Sequence, residues 1–228
     1  MADENRFIKY WRYAIGEIVL VVIGILIALQ INNWNTKRLE NRQEQKILKI
    51  LHDEFTYNAI ELQRNIDKST LTKSKIDSLL FFIDHPEIPL EEPELRELAL
   101  RVTGYSTFDP SNGALNNLIS SGQLELIQND SLKITLSKWF GEVQDVKEDE
   151  LRLIKFGDTH IDPIRLEYIA YNENSRFDRN SAKLLNDPNF ENILLRTSRA
   201  FAYNIENYEF LRKEIEKIMA LLESEISY

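Results

Sequence analysis

Cysteine is absent from the 228 residues, which excludes disulfides, thiolate metal sites, a cysteine nucleophile and a lipid-modified cysteine together. Glycine and proline are scarce, at seven and six; this argues against a loop-rich all-β fold and for long helices. The three histidines, His52, His85 and His160, lie far apart. No phosphate-cradling glycine loop, G-x-S-x-G elbow or H-E-x-x-H pair occurs. The formal charge of −9 leaves no Lys/Arg excess for nucleic acid or anionic lipid as a main partner. With 43% hydrophobic and 29% charged residues, the chain is nevertheless composed like a globular protein, with room for one medium domain and an appendage.

The strongest positive feature lies near the start. Ile18 to Leu29 is an unbroken apolar run, and Ala14 to Ile31 carries a single charge, Glu17. As a helix this stretch rises about 27 Å, close to the ~30 Å hydrocarbon core of a bilayer. Trp11 and Tyr13 precede it and Trp34 follows it, where interfacial anchors belong. No small-x-small processing site follows the run, so a retained span is expected over a cleaved signal peptide. Three regions result: a short tail over 1–13, a transmembrane helix over 14–31 and a soluble domain over 32–228.

Basic residues flank the span almost equally, Arg6, Lys9 and Arg12 before it and Lys37, Arg38, Arg42 and Lys46 after it. A short basic segment ahead of the first apolar run is the layout of an uncleaved signal anchor. The expectation is a single-pass protein of the cytoplasmic (inner) membrane, N-terminus inside and C-terminal domain in the periplasm. Within the span, Glu17, Val21, Gly24 and Ala28 share one helical stripe. Gly24 and Ala28 form a small-x-x-x-small pair suited to close helix approach. Two readings of Glu17 stand side by side: it reaches the headgroups beside Arg12 or Tyr13, or it meets a partner helix. An ion-conducting role is a third.

The string from Tyr13 to Asn35, YAIGEIVLVVIGILIALQINNWN, closely resembles the opening of a large uncharacterised family of single-span membrane proteins from Bacteroidota. A looser similarity extends through Gly113–Gly122 and from Leu124 to Trp139. The resemblance implies a bacterial membrane protein with a helical extramembrane domain, and it brings no activity with it.

Behind the span the pattern stays helical. Ile47, Leu51, Phe55, Asn58, Leu62 and Ile66 form an amphipathic stripe broken only by Asn58, and it resumes at Ile76, Leu80 and Ile83. One long helix, or two nearly collinear ones, is expected from the membrane to Asp84, stopped by His85-Pro86, with a loop over Glu87–Pro93. Three Asp-Pro pairs, Asp109-Pro110, Asp162-Pro163 and Asp187-Pro188, each predict an N-cap followed by a helix start. A fourth start is expected after Asn129-Asp130, and Gly122 reads as the residue closing a helix over Ala114–Ser121. The cleanest helix carries Phe201, Ile205, Tyr208, Leu211, Ile215, Ile218, Leu222 and Ile226. Leu124–Ile127 is the one strand candidate. The fold class is therefore all-α: an N-terminal transmembrane helix running into a long-helix, antiparallel bundle.

Candidate chemistry is thin. Asp158, His160 and Asp162 alternate donors of the kind a divalent cation takes, but Asp162 is accounted for as an N-cap. The acidic clusters Asp84–Glu97 and Glu142–Glu150 read as solvated helix faces. Trp139, Phe140, Tyr168 and Tyr171 read as core rather than as a ligand pocket. The polar stretch Ser106–Asn117 is a candidate recognition surface. No catalytic residue, metal or cofactor is expected. The expected function is a non-enzymatic, membrane-anchored scaffold or accessory subunit, with the bilayer and either a second copy or another membrane protein as partners through the span. Beside it stand a helical sensor acting through a partner in trans, since 13 residues ahead of the span leave no room for an output domain, and an ion-coupled subunit using Glu17.

Overall fold

A computed structural model describes residues 2–172, 176 and 180–227, with the backbone alone for 2–10 and 12–15. It contains six α-helices and no strand among the described residues: α1 (Ala2–Asp84), α2 (Glu92–Arg101), α3 (Gly113–Ser120), α4 (Asp130–Phe156), α5 (Asp162–Tyr168) and α6 (Pro188–Glu225). The fold is all-α, as the periodicity requires.

α1 runs unbroken for 83 residues, or about 125 Å. It contains no internal proline, and it stops where the residue before Pro86 disfavours further helix. Its first part is long and apolar enough to cross a membrane. From Glu44 onward the same helix turns one face inward, burying Leu48, Leu51, Phe55, Asn58, Leu62 and Ile66. α6 lies antiparallel along that face. Gln45 and Glu225 meet at one end, with Gln45 Nε2 donating to the Glu225 carbonyl at 2.8 Å. Asp77 and Ser198 meet at the other, with Ser198 Oγ donating to Asp77 Oδ1 at 2.6 Å. α4 packs against α6, also antiparallel, placing Asn207 Nδ2 at 3.0 Å from Asp149 Oδ2.

The apolar interior falls into two clusters stacked along the bundle. The one nearer the span holds Leu48–Ile66 of α1, Leu132–Val146 of α4 and Tyr208–Leu222 of α6. The distal one holds Ile76, Leu79, Leu95, Leu153, Phe190 and Phe201 with their neighbours. Between them α1 and α6 bury Asn65, Ser69, Thr72 and Asn204.

The helix starts depart from the sequence expectation in instructive ways. Asp187 does cap α6, its Oδ1 accepting from the Asn189 and Phe190 amides, and Asn129 caps α4 through the Leu132 amide. Asp162 does not cap: Ile161 before it is already helical, and the chain passes from α4 into α5 through a π-helical segment, Gly157–Ile161. Asp109 does not cap either, because its carboxylate is taken by Lys147 and Thr107, and α3 starts only at Gly113. The loop after His85 is shorter than expected, since Pro93 stands in the first turn of α2, a position where its missing N–H is harmless. Leu124–Ile127 is no strand. Gly122, at φ +72°, reverses the chain after α3 into a 3₁₀ turn over Gln123–Leu126, and no neighbouring strand is there to pair with it.

Candidate functional site

Two features remain once packing is accounted for: the bare stretch of α1 and the segment 103–112, which has no regular structure but is held inside the bundle. From Gly16 to Gln43 every side chain of α1 is exposed. Glu17, Val21, Gly24 and Ala28 lie along this stretch, and a methyl group at Gly24 would meet nothing within 4 Å. No other described residue covers the stripe. Trp11 and Trp34 are exposed at its two ends, and Arg38 sits over the Trp34 ring at 5.5 Å. The Tyr13 side chain lies outside the described residues. Between Ile31 and Glu44, the first buried residue, the helix rises about 20 Å, so the bundle starts well beyond the end of the apolar run.

The 103–112 segment is fastened by side chains from all three long helices. Asn58 on α1 receives the Ser111 amide on Oδ1 at 2.7 Å and donates Nδ2 to the Ser111 carbonyl at 2.8 Å. One turn earlier, Glu54 accepts the Ala114 amide on Oε1 at 2.9 Å and the Leu115 amide on Oε2 at 3.0 Å. It thus serves as the N-terminal cap of α3 from another helix, satisfying donors that α3 cannot satisfy itself. On α4, Trp139 Nε1 donates to Asn112 Oδ1 at 3.0 Å. Further along, Glu150 Oε1 accepts both the Phe108 amide at 2.8 Å and the Tyr208 hydroxyl at 2.6 Å. The Ser106 carbonyl lies 3.3 Å from the same hydroxyl, a weaker second acceptor for its single proton.

Glu150 is 2% exposed and its Oε2 has no hydrogen-bond partner. Burial raises its pKa above the usual carboxylate range, partly offset by the bonds from Tyr208 and Phe108. Burial likewise raises the Tyr208 hydroxyl, reinforced by the neighbouring carboxylate. The exposed Asp109 moves the other way, held below its ordinary value by its bonds to Lys147 and Thr107.

Gly157 opens the π-helical segment because Tyr105 presses against it. A Cβ there would overlap the Tyr105 hydroxyl and ring. Arg165, itself buried, ties the start of the loop to α5 by donating to the Leu100 carbonyl and to Thr103 Oγ1 at 2.6 Å, and it pairs with Asp162.

Several sequence expectations resolve here. Among the described residues no three His, Asp or Glu side chains, Asp158, His160 and Asp162 included, come together in an arrangement that could hold a metal ion. His160 rests on the Phe156 ring, centroids 4.6 Å apart. Trp139 is core, edge-on to Phe55 at 5.2 Å, whereas Tyr171 is exposed. Ser106–Asn117 is more anchored than a free recognition surface. Glu150 is no member of a solvated acidic face. Sequence reasoning missed Glu54 and Glu150 as interior residues. The signal was present: Glu54 is one turn from Leu51 and Asn58, and Glu150 one turn from Val146 and Leu153, both on buried stripes.

The model of one protein family matches residues 17–194, from Glu17 just ahead of the apolar run to the second turn of α6. The chain belongs to that family, DUF6090, a family of unknown function. The DUF6090 match takes in Glu17, the Glu54–Asn58 pair, the 103–112 segment and Glu150. No curated protein and no solved structure matches the chain.

Proposed function

We propose that this DUF6090 protein is a non-enzymatic, membrane-anchored interaction module: a scaffold or accessory subunit of a bacterial envelope complex. α1 fixes it in the cytoplasmic membrane with the N-terminus inside, and the bundle stands in the periplasm. Its span pairs with a second copy through Glu17, Val21, Gly24 and Ala28. The observation that carries this reading is the abrupt change along one continuous helix: every side chain from Gly16 to Gln43 is bare, while from Glu44 the helix is built into a bundle. The apolar part of that bare stretch, up to Ile31, is costly in water and at home in lipid. Gly24 and Ala28 permit close backbone approach there, and Glu17 on the same stripe is better placed against a partner than against hydrocarbon. The buried polar side chains support the same reading, because Glu54, Asn58 and Trp139 are engaged in holding backbone and loop rather than lining an open cleft.

Oxidative crosslinking of single-cysteine variants in native membranes tests the pairing. Gly24→Cys and Ala28→Cys form disulfide dimers on this account, while Ile25→Cys and Leu26→Cys do not. Absence of dimers at all four, or equal yield at all four, contradicts it. Adding Glu17→Gln separates roles: lost crosslinks at normal abundance assign Glu17 to packing, and retained crosslinks with lost function assign it to ion coupling.

A further inference from the structure

Glu150 sits where α4, α6 and the 103–112 segment share a hydrogen-bond junction, in the polar band between the two apolar clusters. It is a carboxyl group out of water with no cation bonded to it. Lys147, one turn earlier on α4, is bonded to Asp109 at 2.8 Å instead. Of the other groups around the junction, Asp109 of the loop opposes the charge and Lys147 favours it. Tyr208 from α6 is a neutral donor at ordinary pH, and α1 contributes only the uncharged Ser69 hydroxyl, bonded to Tyr208. The loop's Tyr105 hydroxyl is buried without a partner, as is Ser106 Oγ. An ionised carboxylate without a counter-charge is costly in such surroundings. A neutral one is tolerated, and a proton on Oε2 removes the charge from an oxygen that has no partner.

We infer that Glu150 is a proton-operated latch on the 103–112 segment: protonated, it lets the segment seat between α1, α4 and α6, and on ionisation it drives the segment out so that water reaches the carboxylate. Release has to expose Phe108, which is 1% exposed in the core cluster nearer the start of the bundle, and to break the segment's polar ties. Those ties run largely through side chains of the helices, at Thr72–Gly104, Glu150–Phe108 and Asn58–Ser111, so the segment can leave without breaking a helix. Release also uncaps α3, whose first amides depend on Glu54, and exposes a polar edge for a partner.

Hydrogen exchange of the full chain in detergent micelles tests this between about pH 5 and pH 9, with intrinsic exchange chemistry divided out. The expected result is an opening equilibrium for the 106–112 amides that rises with pH, by up to about tenfold per unit, and then levels off. Glu150→Gln makes the profile flat. Tyr208→Phe, which removes a donor to the charged form, leaves the onset in place and carries the rise on to higher pH before it levels off. A flat wild-type profile, a slope that survives in Glu150→Gln, or 106–112 amides that open only as rarely as the Ile218 and Leu222 amides of the core overturns the latch.

Discussion

Asn58 and Ser111 exchange two hydrogen bonds, side-chain amide to backbone on both sides, at 2.7 and 2.8 Å. A single asparagine, fully buried on an otherwise apolar stripe, thereby imitates one rung of a sheet for a segment that has no sheet. Apolar packing alone gives α1 its partner helices; this pair gives the 103–112 segment its register.

Asn58→Ala is expected to cost about 1–3 kcal/mol, because the Ser111 N–H and C=O lose their partners while still enclosed. The loss reads out as a lower urea midpoint of the full chain in micelles. Asn58→Leu, which restores the apolar stripe, is expected to lose stability as well, and a gain would show that the pair contributes nothing.

Glu54 caps α3 across the bundle. Glu54→Gln retains an oxygen for one amide and loses the charge that favours a helix N-terminus; Glu54→Ala loses both bonds, on the order of 2–3 kcal/mol. Hydrogen exchange over 113–118 should order the three proteins wild type, Gln, Ala in falling protection, with little change in α6.

Gly157 and Tyr105 are a matched pair. Gly157→Ala is expected to cost about 1–3 kcal/mol by overpacking, and much less when Tyr105→Ala has already removed the ring. A double-mutant cycle on thermal midpoints detects this as strong non-additivity; additive costs would show that the contact is not tight.

Glu150 also marks global stability. Its folded-state pKa is raised, so the native chain holds a proton that the unfolded chain has already released above the usual carboxylate pKa. Its contribution is therefore most favourable below that pKa and declines as pH rises, until the folded-state pKa is passed. Asp109 has the opposite sign, its contribution being lost as pH falls through its depressed pKa, but that pair is exposed and small. Melts of wild type and Glu150→Gln should diverge with rising pH, the variant being the more stable at the alkaline end.

The long helices were legible because their stripes are long: Leu51 to Ile66 and Phe201 to Leu222 repeat over several turns, and no other structure buries such a pattern. Short elements were less so. The three Asp-Pro pairs look alike in sequence, yet Asp187 caps, Asp162 lies within helix and Asp109 pairs with Lys147. What separates them is a partner far away in the chain. Glu54 and Glu150 were hidden for a related reason. A charge beside other charges reads as solvated; its spacing to buried neighbours points inward, and the backbone amides that come to meet it, 60 and 42 residues away, give the interior role. The candidate span was legible from apolar length alone, whereas no other described residue occupies its stripe.

Membrane topology tests the central claim most directly. In cells with a permeabilised outer membrane, the exposed Ser120→Cys variant should react with a membrane-impermeant maleimide, Asn5→Cys should not, and the full-length chain should stay in the membrane through alkaline extraction. Labelling at 5 alone, or a chain released into the supernatant, would contradict a retained anchor that holds the bundle in the periplasm.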